Sequence, residues 1–221
     1  MAGLRERQKA TRRRDILEAA GTLFQRTGYA ETSIEAIAER AEVAPGTVYN
    51  YFQSKGDLLL ALVALDGEEV RANGKKLIAK APKNPVKAIH SLLESYVDHS
   101  LVHLTKELWR NAIATAITQP ESPFGIGYAE LDRKLADQVG ELVASLQARG
   151  DLAEEIDARI AGDILFEVCN CLFVVFITQE AMPIEVMKQR MSAQIDVVFS
   201  GLPVITREVA TGTKRRSRAV I

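Results

Sequence analysis

The 221-residue sequence holds little of what marks an enzyme, a membrane protein or an extracellular domain. It has only two cysteines, Cys169 and Cys171, two positions apart in one predicted helix. That places them about 200° apart around the axis, so they can neither bond to each other nor share a metal there. We read both as buried apolar thiols. There is no Walker loop, no GxGxxG after a strand, no HExxH and no GxSxG. The paired carboxylates Glu154 and Glu155 fall at an exposed helix start, where acids favour the dipole. No enzyme and no cofactor are therefore expected. The least polar stretch, Ile156 to Gln179, is interrupted by Glu167 and Asn170, and we read it as short of the roughly 20 apolar residues of a membrane span. No membrane partner is expected. With no signal peptide at the Met1 end, a cytoplasmic home is expected. Strand patterns and internal repeats are also missing, so the fold class expected is all-α.

Net charge is almost missing too, at −1, which by itself argues against nucleic acid. Its distribution argues the other way. Arg5, Arg7, Lys9, Arg12, Arg13 and Arg14 face only Glu6 near the start, and Arg207, Lys214, Arg215, Arg216 and Arg218 face only Glu208 near the end. The body between them is strongly acidic. A basic arm leading into the first helix suits phosphate, while an acidic body stays off a duplex. We read the C-terminal basic segment, 203–221, as a solvated tail.

The most informative stretch is Thr32 to Lys55. The spacing of Ile34, Ile37, Ala38 and Ala41 predicts a short helix with one buried stripe, opened by a capping box of Thr32 and Glu35. A tight turn follows. Pro45 suits the first turn of a second short helix carrying Thr47 to Phe52. Ser54 and Asp57 then cap a third. Two short helices, a tight turn and a hydroxyl-rich second helix make a helix-turn-helix. Thr32 and Ser33 can offer hydroxyls and N–H groups to a phosphate. Lys55 is a further phosphate partner, and Tyr49 and Tyr51 can donate phenols, with one of the two given to the core. Base readout falls to Thr47 on a thymine methyl and Asn50 on adenine, with Pro45 and Gly46 allowing close backbone approach. Val48 and Phe52 are core.

The run Ile16 to Leu59 resembles the N-terminal DNA-binding domain of the TetR family of bacterial transcriptional regulators. The matching features are Phe24, Gly28-Tyr29, Thr32-Ser33-Ile34, Gly46-Thr47-Val48-Tyr49, Tyr51-Phe52 and Ser54-Lys55 with Leu58. Ala44 departs from the pattern, since the family usually has a hydroxyl residue capping the recognition helix, and a lost cap costs about 1 kcal/mol. The resemblance implies a homodimeric repressor of double-stranded operator DNA, released by a small-molecule effector.

The remaining helices are expected over 11–26, 55–80, 86–103, 106–117, 128–149, 156–179 and 184–200. Residues 1–55 would form the arm and DNA-binding domain, and 56–202 a ligand-binding and dimerisation body. The last two helices would pair with their copies across a two-fold axis. Candidate walls for a largely apolar effector are Tyr96, His99, His103, Trp109, Ile113, Tyr128, Phe166, Asn170 and Phe173. His99 and His103, with Glu107 one turn on, have a metal-binding spacing. No cysteine or second histidine pair completes a site, so no metal is expected. The rival reading is a DNA-binding protein governed by a protein partner, with no small-molecule pocket.

Overall fold

The computed structural model describes residues 3–200, and the predicted basic tail at 203–221 lies outside them. The described residues form nine α-helices and no strand. They are α1 (Leu4–Thr27), α2 (Ile34–Arg40), α3 (Pro45–Tyr49), α4 (Lys55–Ala79), α5 (Pro85–His99), α6 (Lys106–Thr118), α7 (Pro123–Ala148), α8 (Ala158–Thr178) and α9 (Ile184–Ser200).

Local chemistry accounts for most of the boundaries. Side chains of Ser33, Ser54, Asn84, Thr105, Ser122 and Asp157 each accept a backbone N–H at the helix they open. Ser54 and Asp57 complete the predicted capping box. The box predicted at Thr32 does not form. The cap is Ser33, which accepts from the Ala36 N–H, while the buried Thr32 donates its hydroxyl to the Gly28 carbonyl at 2.7 Å. Ala44 caps α3 without any side-chain bond, as its methyl requires.

Five helices differ from expectation, the first being α3, which ends at Tyr49 and not at Phe52. The predicted basic arm is not a separate segment, because α1 starts at Leu4 and carries it as exposed helical turns. Helix α5 stops at His99, so Leu101 is exposed and does not extend the buried stripe. Helix α7 begins at Pro123 rather than Tyr128, since proline at the first position starts the helix that it was read as breaking. Helix α8 is 21 residues long with a mean hydropathy of 2.1, enough by length and composition to cross a membrane, against the expectation that it falls short. Here its Leu165, Phe166, Cys169, Leu172 and Phe176 are buried, and its neighbours are α7, α6 and α9.

Helices α1 to α3 and the start of α4 share one core, built on Ile16, Ala20, Phe24, Ile37, Val48, Phe52, Leu58 and Leu59. Further along, α4 packs on α5 and α7, so a single helix belongs to both ends of the molecule. The closest pair in the body is α7 with α8, and small residues make that approach possible. A Cβ on Gly162 would stand 2.5 Å from the Gly140 nitrogen. Buried Gln138 of α7 ties three helices together, accepting from the Tyr96 hydroxyl at 2.8 Å and donating to the Arg71 carbonyl at 2.9 Å.

Candidate nucleic-acid interface and internal cavity

Helix α3 presents two opposite faces because its apolar residues all lie on one side. Val48 and, just beyond the helix, Phe52 are buried in the core, where α3 packs on α2, and Tyr51 packs partly into the same core. Pro45, Gly46, Tyr49 and Asn50 are exposed, and Thr47 is half-buried. The predicted division of the tyrosines therefore falls with Tyr51 inside and Tyr49 outside, 51% exposed. The turn before α3 is closed by the Val43 N–H donating to the Ala38 carbonyl, with Glu42 in the left-handed region at φ 54°. Arg13 of α1 lies with its guanidinium 5.1 Å from the centre of the Phe52 ring, which brings the basic turns of α1 beside this exposed face.

Two of the predicted phosphate partners are committed elsewhere. The Thr32 hydroxyl is turned inward, as described above, and also sits 3.0 Å from the Thr27 hydroxyl. Lys55 donates to the carbonyls of Tyr29, Ala30 and Thr32 at 2.7, 3.0 and 3.1 Å, and stands over the Tyr29 ring. An ammonium has three protons, and all three are used. Lys55 thus staples the α1–α2 loop to α4. Lys106 repeats the device at the start of α6, donating to the carbonyls of Gln179, Glu180 and Met182 beyond α8.

The body encloses a narrow cavity of about 70 Å³ between α4, α5, α6, α7 and α8. Six of the predicted wall residues line it: Tyr96, Trp109, Tyr128, Phe166, Asn170 and Phe173. Ile113 is only packed against the core, and His99 and His103 lie outside the lining. The residues that sequence reasoning missed include two carboxylates, Asp66 and Asp132. Burial pushes Asp66 up to about 7 and Asp132 up to about 6, the latter opposed by a hydrogen bond from Asn170. Asn170, singled out from sequence as an amide needing a partner, donates to Asp132 at 3.4 Å. Burial likewise raises the Tyr96 and Tyr128 phenols and pushes the Cys169 thiol up to about 12. Cys171, expected to be buried, is exposed. The available signal for Asp66 was its place directly after the apolar run Leu58 to Leu65, within the same predicted helix.

The two histidines meet a different partner from the one expected. Glu107 accepts the Tyr29 N–H at 3.0 Å and faces Gly28. It is Glu69 of α4 that approaches the rings, 2.8 Å from His103 Nε2 and 3.3 Å from His99 Nε2.

A family profile described as "Bacterial regulatory proteins, tetR family" matches residues 16–62. The repressor KstR of Rhodococcus jostii is 28% identical over 177 residues, covering 79% of this chain and 77% of that protein. The fatty acid metabolism regulator protein of Bacillus subtilis is 29% identical over 168 residues, covering 72% and 80%. In fold, the chain is similar to Thermus thermophilus FadR, a TetR-family repressor solved with lauroyl-CoA. The TM-score is 0.61 at 22% identity, over 90% of this chain and 100% of that one. With a helix-turn-helix whose polar side is bare, the fold and the relatives agree in supporting a TetR-family, DNA-binding transcriptional regulator and not an enzyme.

Proposed function

We propose that the protein is a homodimeric repressor that holds a palindromic operator and lets go when a small, largely apolar effector enters the body. The observation that carries this reading is the division of α3: Val48 is sealed in while Asn50, Tyr49 and Gly46 stand bare beside a basic helix. Such a face suits a major groove, and a single helix this short gains affinity and register from a second half-site. On this reading residues 1–55 form the reading head and 56–202 the body, and the protein works in the cytoplasm.

The second copy has a surface waiting for it. Ile160, Ile164, Glu167, Cys171 and Val174 lie on one face of α8 and are exposed, and Val197 and Val198 of α9 are exposed as well. Apolar side chains in such a stripe favour burial against another copy.

The effector site is the cavity. At about 70 Å³ it is far smaller than the 300 Å³ or more of ordinary ligand sites, so an effector must part the helices around it. Asp66 and Val70 put α4 in that wall, and the same helix begins in the core of the reading head. A ligand that displaces α4 changes the spacing of two heads, and so favours the released state. Asp132 and its partner Asn170 favour an effector with a hydrogen-bond donor on an apolar frame. The Bacillus subtilis relative regulates fatty acid metabolism and Thermus thermophilus FadR was solved with lauroyl-CoA, and those functions are theirs. A thermal-shift screen of metabolites tests the reading. A true effector raises Tm and releases a selected operator in the same concentration range. Ligands that stabilise the chain without releasing DNA would contradict it.

A further inference from the structure

Beside the cavity, and sharing only Asp66 with its wall, lies a cluster whose other members the repressor mechanism does not use. Asp66 and Glu69 stand one turn apart on α4. His99 ends α5, and His103 follows in the turn before α6. One atom each from Glu69, His99 and His103 lies within 4.8 Å of the others. His99 Nε2 is 3.3 Å from Glu69 Oε2 and 3.6 Å from Asp66 Oδ1.

The groups are arranged oddly for a plain hydrogen-bond network. Only His103 and Glu69 are at a good bonding distance, 2.8 Å. Asp66 Oδ1 and His99 Nε2 are both buried and have no hydrogen-bond partner. The Asp66 side chain is 5% exposed, so its orphaned oxygen is sealed from water and aimed at His99. Leaving such an atom unpaired costs about 1–3 kcal/mol, and a bound ion is one of the few things that remove the cost.

We propose that Asp66, Glu69, His99 and His103 form a binding site for a divalent transition-metal ion, with Zn²⁺ the best fit. Two imidazoles and two carboxylates are a donor set for such an ion. Four ligands at Zn–N and Zn–O distances near 2.0–2.1 Å stand about 3.3–3.4 Å from one another in a tetrahedron. The 3.3 Å Glu69–His99 and 3.6 Å Asp66–His99 separations match that spacing, the Glu69–His103 contact needs to open by a fraction of an ångström, and Asp66, which stands outside the close group of the other three, needs to turn toward it. Asp66 is the inner ligand, and the more exposed Glu69 and His103 mark the side from which the ion enters.

Such an ion would tie α4 to the turn between α5 and α6. The same turn holds the reading head, because Gln25 of α1 donates to the His103 carbonyl at 2.8 Å. Metal occupancy therefore sets how firmly the head rests on the body, whether or not the cavity is filled.

The test is titration of the metal-free, untagged full-length chain with ZnCl₂ by calorimetry, and with CoCl₂ by visible absorption. One Zn²⁺ per chain is expected, with a Kd below about 1 μM and a higher Tm for the loaded protein. Bound Co²⁺ should show the intense visible bands of a four-coordinate ion. Glu69→Gln and His103→Gln, on the open side where the fold tolerates them, should each weaken Zn²⁺ at least about tenfold. Asp66→Asn should lose the four-coordinate Co²⁺ spectrum. His90→Gln removes the one histidine outside the cluster and should leave the affinity unchanged. Absence of saturable binding would overturn the proposal, as would binding that survives both Glu69→Gln and His103→Gln, or a weak six-coordinate Co²⁺ spectrum. If Asp66→Asn does not fold, the two open-side variants decide the matter alone. DNA plays no part in these measurements, so their outcome is separate from that of the repressor reading.

Discussion

Helices α3 and α8 each leave one face bare in the single chain, and the two faces are opposite in kind. The bare side of α3 offers a glycine, a proline, a phenol and an amide beside the basic turns of α1. The bare side of α8 offers Ile160, Ile164 and Val174. Water solvates the first at little cost, so its exposure needs no partner to be stable, whereas exposure of the second is unfavourable by roughly 25 cal/mol for each Å² left uncovered. The difference teaches which contact is permanent and which is conditional. On the proposed dimer reading the apolar face stays covered by a copy at all times, while the polar face engages and leaves DNA as the spacing of the pair dictates.

Breaking the apolar face should have the largest effect. Ile164, 47% exposed in the single chain, becomes a buried charge in the dimer when changed to Glu. We expect Ile164→Glu to sediment as a monomer at micromolar concentration and to lose operator affinity by at least about 100-fold, since such a charge costs several kcal/mol. A dimer that persists would show that the two copies meet elsewhere.

Next in size is Lys55. Its three carbonyl acceptors make it a staple, and charge-assisted bonds of this kind contribute about 1.5–3 kcal/mol each before compensation. Lys55→Ala should lower the stability of the chain by about 2 kcal/mol in chemical denaturation and leave the salt slope of DNA binding unchanged. Arg13→Ala should instead reduce that slope by about one. A smaller slope in the Lys55 variant would restore the phosphate role first read from sequence.

Asn50→Ala sharpens the comparison from the polar side. It should leave dimerisation and stability alone and relax base preference at one position in each half-site by about 1–3 kcal/mol, measured with a panel of single-base operator variants. A uniform loss across the panel would make Asn50 a backbone contact.

The smallest effect expected is on pH dependence. Asp132 has a folded pKa raised by burial to about 6 from the model-compound 3.8, so the native state holds its proton more tightly than the unfolded chain. That contribution is fully present below about pH 4 and is lost as pH rises through about 6. Asp132→Asn should therefore flatten the fall in stability over that window and leave the variant more stable at pH 7. A stability profile between pH 4 and 7 that is identical in the two proteins would contradict the burial of its charge.

Much of this is legible in the sequence alone, and what is hidden there has a pattern. The helix-turn-helix could be read because its signals are local: the Ser54–Asp57 box, Pro45 at a first turn, and the spacing of Ile34, Ile37 and Ala38. The direction of a single polar side chain is not local. Thr32 and Lys55 were read as free for phosphate, and both turned to carbonyls of the α1–α2 loop, a choice set by how α4 docks there. In the body, aromatics at helical spacing pointed to most of the cavity wall, because large side chains converge where five helices meet. Asp66 and Asp132 were missed, since an acid in a helix reads as solvent-facing until its neighbours are known. The partner of His99 and His103 was sought along their own segment, at Glu107, and came from α4.

The most direct test of the central claim is a hydroxyl-radical footprint of the full-length protein on its selected operator. The account predicts two protected half-sites related by two-fold symmetry, with centres about 34–36 Å apart along the duplex or a multiple of that spacing. Both should be lost together on addition of an effector. A single protected half-site at saturation, or protection with no two-fold relation between the strands, would contradict it.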